Sequence, residues 1–278
     1  MTRVSTTSDI DKYFKTSLDN FTAALARSIS TSGATVGLQA GERRYWASVL
    51  FTRLCTFSVS ILSLCPGSKI NLEGVHWDFG AIAALSRNLF ECALTFFYLA
   101  IEDVSEDEWM ARLLVLQLHD CISRFRMFRD FDPQDGQLKG FEEQANELRS
   151  KLEANKFFAT LPEPLRKKLL KGERASILIQ DEILERMGEE TSHTRGYYRF
   201  LSSHTHSYPL GFYRMAEHGR GSGVANEIEK GYISNALKYC TEILRRSTDD
   251  MRRVFSDIAT FPENSFNWDA LKRPLIQT

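Results

Sequence analysis

No two cysteines stand at Cys-x-x-Cys spacing, and the five present, Cys55, Cys65, Cys92, Cys121 and Cys240, are scattered and odd in number. That argues against a zinc ribbon or a disulfide framework and fits reduced thiols serving as small core residues. Net charge is also nearly absent: 35 Lys and Arg stand against 36 Asp and Glu, giving -1. No global field therefore draws the chain to nucleic acid or to an anionic membrane, and any such contact must come from a local patch. A Gly-x(4)-Gly-Lys-Ser/Thr phosphate loop and a Gly-x-Ser-x-Gly elbow are both missing. So are internal repeats and strand-like alternation of useful length. Met1–Asp11 carries Arg3 and several Ser and Thr but no apolar run, so no signal peptide is expected. The longest apolar stretch, Ala47–Cys65, is interrupted by Arg53 and rich in Ser and Thr, which reads as a buried helix rather than a membrane span. The expectation is a cytoplasmic protein without membrane association.

What the sequence does have is helical periodicity. Ile10, Phe14, Leu18, Phe21 and Leu25 recur at three- and four-residue spacing, predicting an amphipathic helix from near Ser8. "STSGATVGLQAG" (Ser30–Gly41) then reads as a flexible connector. A second helix is expected over Glu42–Leu64. Asp78 can cap a third, "FGAIAALSRNLFECALTFFYLAIE", which is apolar nearly all round and should be the central element. "SEDE" (Ser105–Glu108) matches a capping box for a fourth helix reaching Asp130. The segment 135–172 changes texture, with charged "GFEEQANELRSKLEANKFF" and two prolines in "LPEPLRKKLLKGER", and reads as a helical insertion or lid. A last long helix is expected over Ile228–Ile258. These elements predict an all-α fold: a helical bundle with a charged helical excursion and a long C-terminal helix. The domain reading is an N-terminal helix and connector over 1–41, one bundle domain over 42–260, and a tail over 261–278. Its core should come from the helices starting near Glu42, Asp78 and Glu106, and from the one ending at Ile258.

Arg87 and Glu91 are the charged residues inside the third helix, four apart on one face. Burying charge is costly unless it is paired, so the two should pair, either fixing helix register or lining a site. In the fourth helix, His119 reads as a satisfied core histidine and Asp120 as a group facing water. "SHTRGYYRFLSSHTHSYP" (Ser192–Pro209) gathers three of the chain's six histidines with two arginines and three tyrosines. At about 100° per residue, Arg199 and His204 point about 140° apart on an unbroken helix, whereas Arg199, Ser203 and His206 share a face. An Arg199–His204 pair needs the helix to end near Ser202 or Ser203, which Pro209 permits; His206 competes with His204 for the same role. Tyr198 and Arg195 complete the candidate binding face. The structural alternative is that these groups cap a helix end, with Arg199 paired to a carboxylate such as Glu91. Glu73-x-x-His76 and Glu190-x-x-His193 have the Glu-x-x-His spacing of di-iron bundles. Gly74 interrupts the first and the second falls at a helix start, so neither a metal nor another cofactor is expected. "GRGSG" (Gly219–Gly223) reads as a flexible turn.

"RFLSSH" (Arg199–His204) resembles the Arg-x(4–6)-His signature of the HEPN superfamily, helical-bundle proteins that include metal-independent ribonucleases of toxin and defence systems. The residue after the motif arginine, often polar there, is Phe200 here. The wider layout, "SRNLFE" together with "YRFLSSHTH" from Tyr198, resembles an uncharacterised bacterial family of helical proteins over most of residues 40 to 260. The HEPN resemblance implies that His204 acts as base on a ribose 2′-hydroxyl or as acid on the leaving oxygen, and that Arg199 holds the phosphate. It also implies RNA as substrate, a homodimer, and an antitoxin or other protein partner. Two other readings stay open: a non-enzymatic interaction or scaffold protein with a structural polar cluster, and a carboxylate–histidine metal protein.

Overall fold

Eleven α-helices and no β-strand are found among the described residues of the computed structural model, which are 7–38, 41–206, 208–215, 219–258, 260 and 266–269. In chain order they are α1 (Thr7–Ala34), α2 (Glu42–Leu64), α3 (Phe79–Phe96), α4 (Glu106–Phe131), α5 (Leu138–Ala154), α6 (Lys156–Thr160), α7 (Glu163–Leu170), α8 (Gln180–Arg186), α9 (Thr191–Thr205), α10 (Pro209–Met215) and α11 (Glu227–Val254). A π-helical turn, Phe97–Ile101, extends α3. The all-α expectation holds. The chain divides into two compact units, one built from residues up to Ile101 and from Gly188 onward, the other from Glu102–Met187.

In the first unit α1 and α11 lie parallel. Their cross-links advance together: Lys230 with Asp11, Tyr13 with Asn235, Ser28 with Thr248, and Arg252 with Thr31. Helical spacing explains the seam, because Ile233, Ala236, Leu237, Cys240, Leu244 and Met251 form one buried face of α11. From α1, Leu18, Phe21 and Leu25 enter the same core. The first helix is therefore a full member of the core rather than an appendage. It also runs through Gly33 to Ala34, past the glycine expected to break it. Glycine in a helix costs about 1 kcal/mol, which the packing of buried Ser28 and Thr31 against α11 overrides.

Asp78 caps α3 as expected, its carboxylate accepting from the Ala81 amide at 3.1 Å. Through Ile82, Ala83, Leu89, Ala93 and Phe96, α3 packs beside Phe51, Leu54, Ile61 and Leu62 of α2. Both helices are long and apolar enough to cross a membrane by length and composition. Both supply buried side chains to this core, an arrangement that meets the same test. α3 also runs antiparallel to α9, since Phe79 meets His204 while Phe90 meets Tyr198. Cys55, Cys92 and Cys240 are buried here, and burial pushes each thiol up to about 12, far from nucleophilic thiolate. Of the stretch 261–278, expected as a tail, only 266–269 lie within the described residues, and Trp268 packs on this core.

The second unit departs from the expected organisation. α4 starts at the predicted cap, where Ser105 accepts from the Glu108 amide at 3.2 Å. Its apolar face, however, belongs to a separate core, formed by Ala111, Leu114, Val115 and Leu118 with Leu148, Leu152, Phe158 and Leu169 from α5 to α7. The charged segment 135–172, expected as a helical insertion or lid, contributes to this unit's own core. Its charges lie on solvated faces, in exposed pairs such as Lys151–Glu147 and Lys167–Glu163. His119 is a satisfied structural histidine, with Nδ1 2.9 Å from the Gly172 carbonyl. Asp120 is exposed and pairs with Arg124 at 2.7 Å.

Candidate functional site

The α3–α9 seam carries polar groups at two levels. Toward the C-terminal half of α3, Arg87 and Glu91 meet Tyr198 of α9. Arg87 Nη2 donates to Glu91 Oε1 and to the Tyr198 hydroxyl, and that hydroxyl donates to the same carboxylate oxygen, all at 2.8 Å. Burial works to lower the Arg87 pKa, but the Tyr198 hydrogen bond and the Glu91 charge outweigh it, so the guanidinium is held more firmly charged than usual. The pair is less buried than its apolar helix suggested: the side chains are 17% and 43% exposed for Arg87 and Glu91. The ring of three bonds ties one helix to the other.

The second level lies about 12 Å away along α3, at its N-terminus, taking the eight residues from Phe79 to Arg87 at about 1.5 Å each. There His204, half-buried, sits edge-on against Phe79 (4.7 Å) and Phe200 (5.2 Å). It opens on a hollow of about 110 Å³ that His76, Asp78, Gly80, Arg220 and Glu229 also line. Burial lowers the His204 pKa below its usual 6.5; the Arg220 charge lowers it further, and Asp78 pulls the other way. The imidazole is therefore neutral at pH 7, able to accept a proton at one nitrogen and donate at the other.

The glycine-rich loop closes this hollow. Trp77 donates its amide to the Gly223 carbonyl at 3.0 Å, which docks the loop onto the segment entering α3. Gly223 has φ +76, and a Cβ there would lie 2.6 Å from His76 Nδ1, so only glycine lets the imidazole approach. The segment "GRGSG" is a turn, as its glycines suggest, with Gly219, Gly221 and Ser222 exposed while Arg220 and Gly223 turn toward the hollow. Within it Arg220 is buried, with Nε donating to Glu229 Oε1 at 3.0 Å and its guanidinium 4.5 Å over the Tyr232 ring.

The other residues singled out in the sequence fall elsewhere. α9 continues unbroken to Thr205, so Arg199 and His204 stay on different sides of it, and the early helix end that their pairing needs does not occur. Arg199 is exposed, and its guanidinium has no hydrogen-bond or ion-pair partner among the described residues. Glu91, its expected partner, is engaged by Arg87 and Tyr198. Ser203 is buried, its hydroxyl donating to the Arg199 carbonyl at 2.9 Å. His206 is exposed beside Tyr208, with ring centroids 5.5 Å apart. Arg195 is half-buried on α9. Ser207 and residues 216–218 lie outside the described residues. Among the described residues no group of three or more His, Cys, Asp and Glu is arranged to hold a metal ion. His76, Arg220 and Glu229 were missed as site residues. The signal for Arg220 was present, a single cation between the glycines 219, 221 and 223; nothing in the sequence marks Glu229 as buried.

The fold and these two clusters define an all-helical protein with a small, polar, histidine-lined hollow. The chain belongs to a family of unknown function, DUF5677, whose model matches residues 44–222 and so spans both polar clusters except Glu229. No curated protein and no solved structure matches the chain.

Proposed function

We propose that this protein handles phosphate esters without a metal, as an RNA-cleaving or nucleotide-processing enzyme centred on His204. The observation that carries this reading is the shared hollow: a neutral imidazole, a second imidazole from His76, the Arg220 charge and the N-terminal turn of α3 all face one small space. Each part suits a phosphodiester. His204 or His76 takes the proton from a ribose 2′-hydroxyl, that oxygen attacks phosphorus, and the other imidazole protonates the departing 5′-oxygen. The products are a 2′,3′-cyclic phosphate and a 5′-hydroxyl, with no net change in protons. The Arg220 guanidinium and the first-turn amides of α3 that Asp78 does not cap are the donors for the negative phosphate, opposed by the Asp78 and Glu229 charges. The resemblance to HEPN nucleases supports His204 in this role, while Arg220 takes the place that the motif gives to Arg199. A cytoplasmic homodimer acting in toxin–antitoxin or anti-phage defence, with a protein antitoxin as partner, follows from the same resemblance.

The test is purified protein with single-stranded RNA of several sequences in excess EDTA. Cleavage to cyclic phosphate ends is expected, and Arg199→Ala should keep it within about threefold, since a surface cation away from the hollow contributes little. RNA left intact by a homogeneous preparation would overturn the reading.

The closed ring of Arg87, Glu91 and Tyr198 favours a second reading, an interaction or scaffold protein whose polar cluster only fixes α9 on α3. Under it, Glu91→Leu alone should cost about 1–2 kcal/mol of stability by urea unfolding, because Arg87 loses its carboxylate. Arg87→Met with Glu91→Leu should recover most of that and leave partner binding unchanged.

A further inference from the structure

A groove of about 430 Å³ lies between α9 and α11, against about 110 Å³ for the hollow, and falls within the usual size of small-ligand sites. Helical spacing builds it. His193, Tyr197 and Phe200 stand at i, i+4 and i+7 on α9, and Tyr232, Asn235 and Tyr239 at i, i+3 and i+7 on α11, so each helix turns one stripe toward the groove. The stripes run antiparallel, since Tyr197 meets Tyr239 with ring centroids 4.4 Å apart and Phe200 meets Tyr232 at 5.6 Å. Four half-buried rings thus line one space. The groove also adjoins the hollow: Phe200 lies 5.2 Å from His204, and the Arg220 guanidinium is 4.5 Å over the Tyr232 ring. Along α9, His204 is four residues from Phe200 and seven from Tyr197, about 6 and 10 Å. At the groove's edge Lys238 is exposed, without a hydrogen-bond or ion-pair partner among the described residues. Asn235, also exposed, accepts from the Tyr13 hydroxyl at 2.9 Å through Oδ1, which leaves its amide protons for another acceptor. The carboxylate that lines the groove, Glu242, is engaged by Arg245 at 3.3 Å. Aromatic walls edged by an unpaired ammonium disfavour a cation and suit a flat, neutral ring with acceptors on its rim.

We infer that this groove holds a nucleobase of the substrate, stacked on the tyrosine and phenylalanine rings, while the phosphate joined to that nucleoside occupies the hollow. The inference rests on the phosphate-ester reading above, because the neighbouring phosphate is what makes the flat ring a base. Size divides the work in the same way. The hollow has the room of three or four waters at about 30 Å³ each, enough for a phosphate group without a base. Stacking uses the face that every base has, so the groove takes purines and pyrimidines alike. Tyr197, Phe200, Tyr232 and Tyr239 are recognition residues here and take no part in the proton transfers.

The experiment is calorimetric titration of the full chain with adenosine 3′- and 5′-monophosphate, with ribose 5-phosphate, which lacks the base, and with adenosine, which lacks the phosphate. The tighter of the two nucleotides should bind about tenfold better than ribose 5-phosphate, the difference expected of one stacked base. Tyr239→Leu keeps an apolar side chain but removes a ring, and should narrow that preference to about threefold while leaving ribose 5-phosphate within about twofold. A melting curve establishes that the variant is folded. Should it not fold, wild-type protein photolysed with 8-azidoadenosine 5′-monophosphate decides, the label being expected on Tyr197, Tyr232 or Tyr239 by peptide mass spectrometry. Equal binding of nucleotide and ribose 5-phosphate, an unchanged preference in folded Tyr239→Leu, or a label outside α9 and α11 overturns this inference and leaves the phosphate-ester reading standing. Adenosine bound as tightly as its monophosphates overturns the phosphate-ester reading alone. Binding of none of the four overturns both.

Discussion

Replacing His204 by alanine is expected to lower RNA cleavage by about two to four orders of magnitude, the usual contribution of a positioned acid or base. His204→Gln should lose as much while keeping more of the contact with Phe79 and Phe200, which separates lost chemistry from lost packing. The pH dependence follows from the direction of the shift. With His204 as the base, burial and Arg220 place its pKa below 6.5, so the base form already dominates at neutrality and its contribution to the rate should be level above about pH 6.5 and fall on acidification. Stability follows the same group: between the lowered folded pKa and the unfolded value the unfolded chain binds more protons. The His204 contribution to stability is therefore complete above 6.5 and is lost as pH falls toward and through the folded pKa. A flat acid limb in the rate would remove His204 as the base, and full activity in His204→Gln would remove it from the mechanism.

Arg112→Met is expected to destabilise the Glu102–Met187 unit by about 3–5 kcal/mol, the range for removing one partner of a buried ion pair. Arg112 is fully buried, and its guanidinium donates to Glu102 at 2.7 Å and to Glu108 through Nε at 3.1 Å. Arg186 reaches the same two carboxylates, at 2.9 Å and 3.5 Å, from a more exposed position. Taking Arg112 away leaves two mostly buried acids facing one partly solvated cation. Replacing all three by apolar residues of similar volume should recover most of the loss, because the desolvation cost then disappears with the charges. Trp109, buried on α4, is the one tryptophan of this unit and reports its unfolding in denaturant. An Arg112→Met midpoint indistinguishable from wild type would mean that the cluster contributes nothing net.

The helices were legible because they are periodic, and their starts were legible because capping is local: Asp78 and Ser105 bond amides three residues on. His119 was read correctly for a similar reason, a polar group on an apolar face needing one partner. Partnership between helices was harder to see. An apolar stripe on α4 looks the same whether it faces α2 and α3 or α5 and α7, so the second core was invisible until packing was known. The Arg87–Glu91 pair was legible, but its third member binds from more than a hundred residues away. Around His204 the outcome turned on one helical turn. Pairing the histidine with Arg199 required α9 to end near Ser202 or Ser203; the helix runs to Thr205, as the 140° separation assumed, and the cation lining the hollow comes from the turn at 219–223.

The parallel pairing of α1 with α11 has a consequence for synthesis. As the chain is made, α1 leaves the ribosome long before the partner for its buried face, Ile233 to Met251. The continuous Glu102–Met187 stretch, with a core of its own, is complete well before that. The expected order of events is that the Glu102–Met187 segment folds during translation while α1 stays exposed and open to chaperones until α11 has been made.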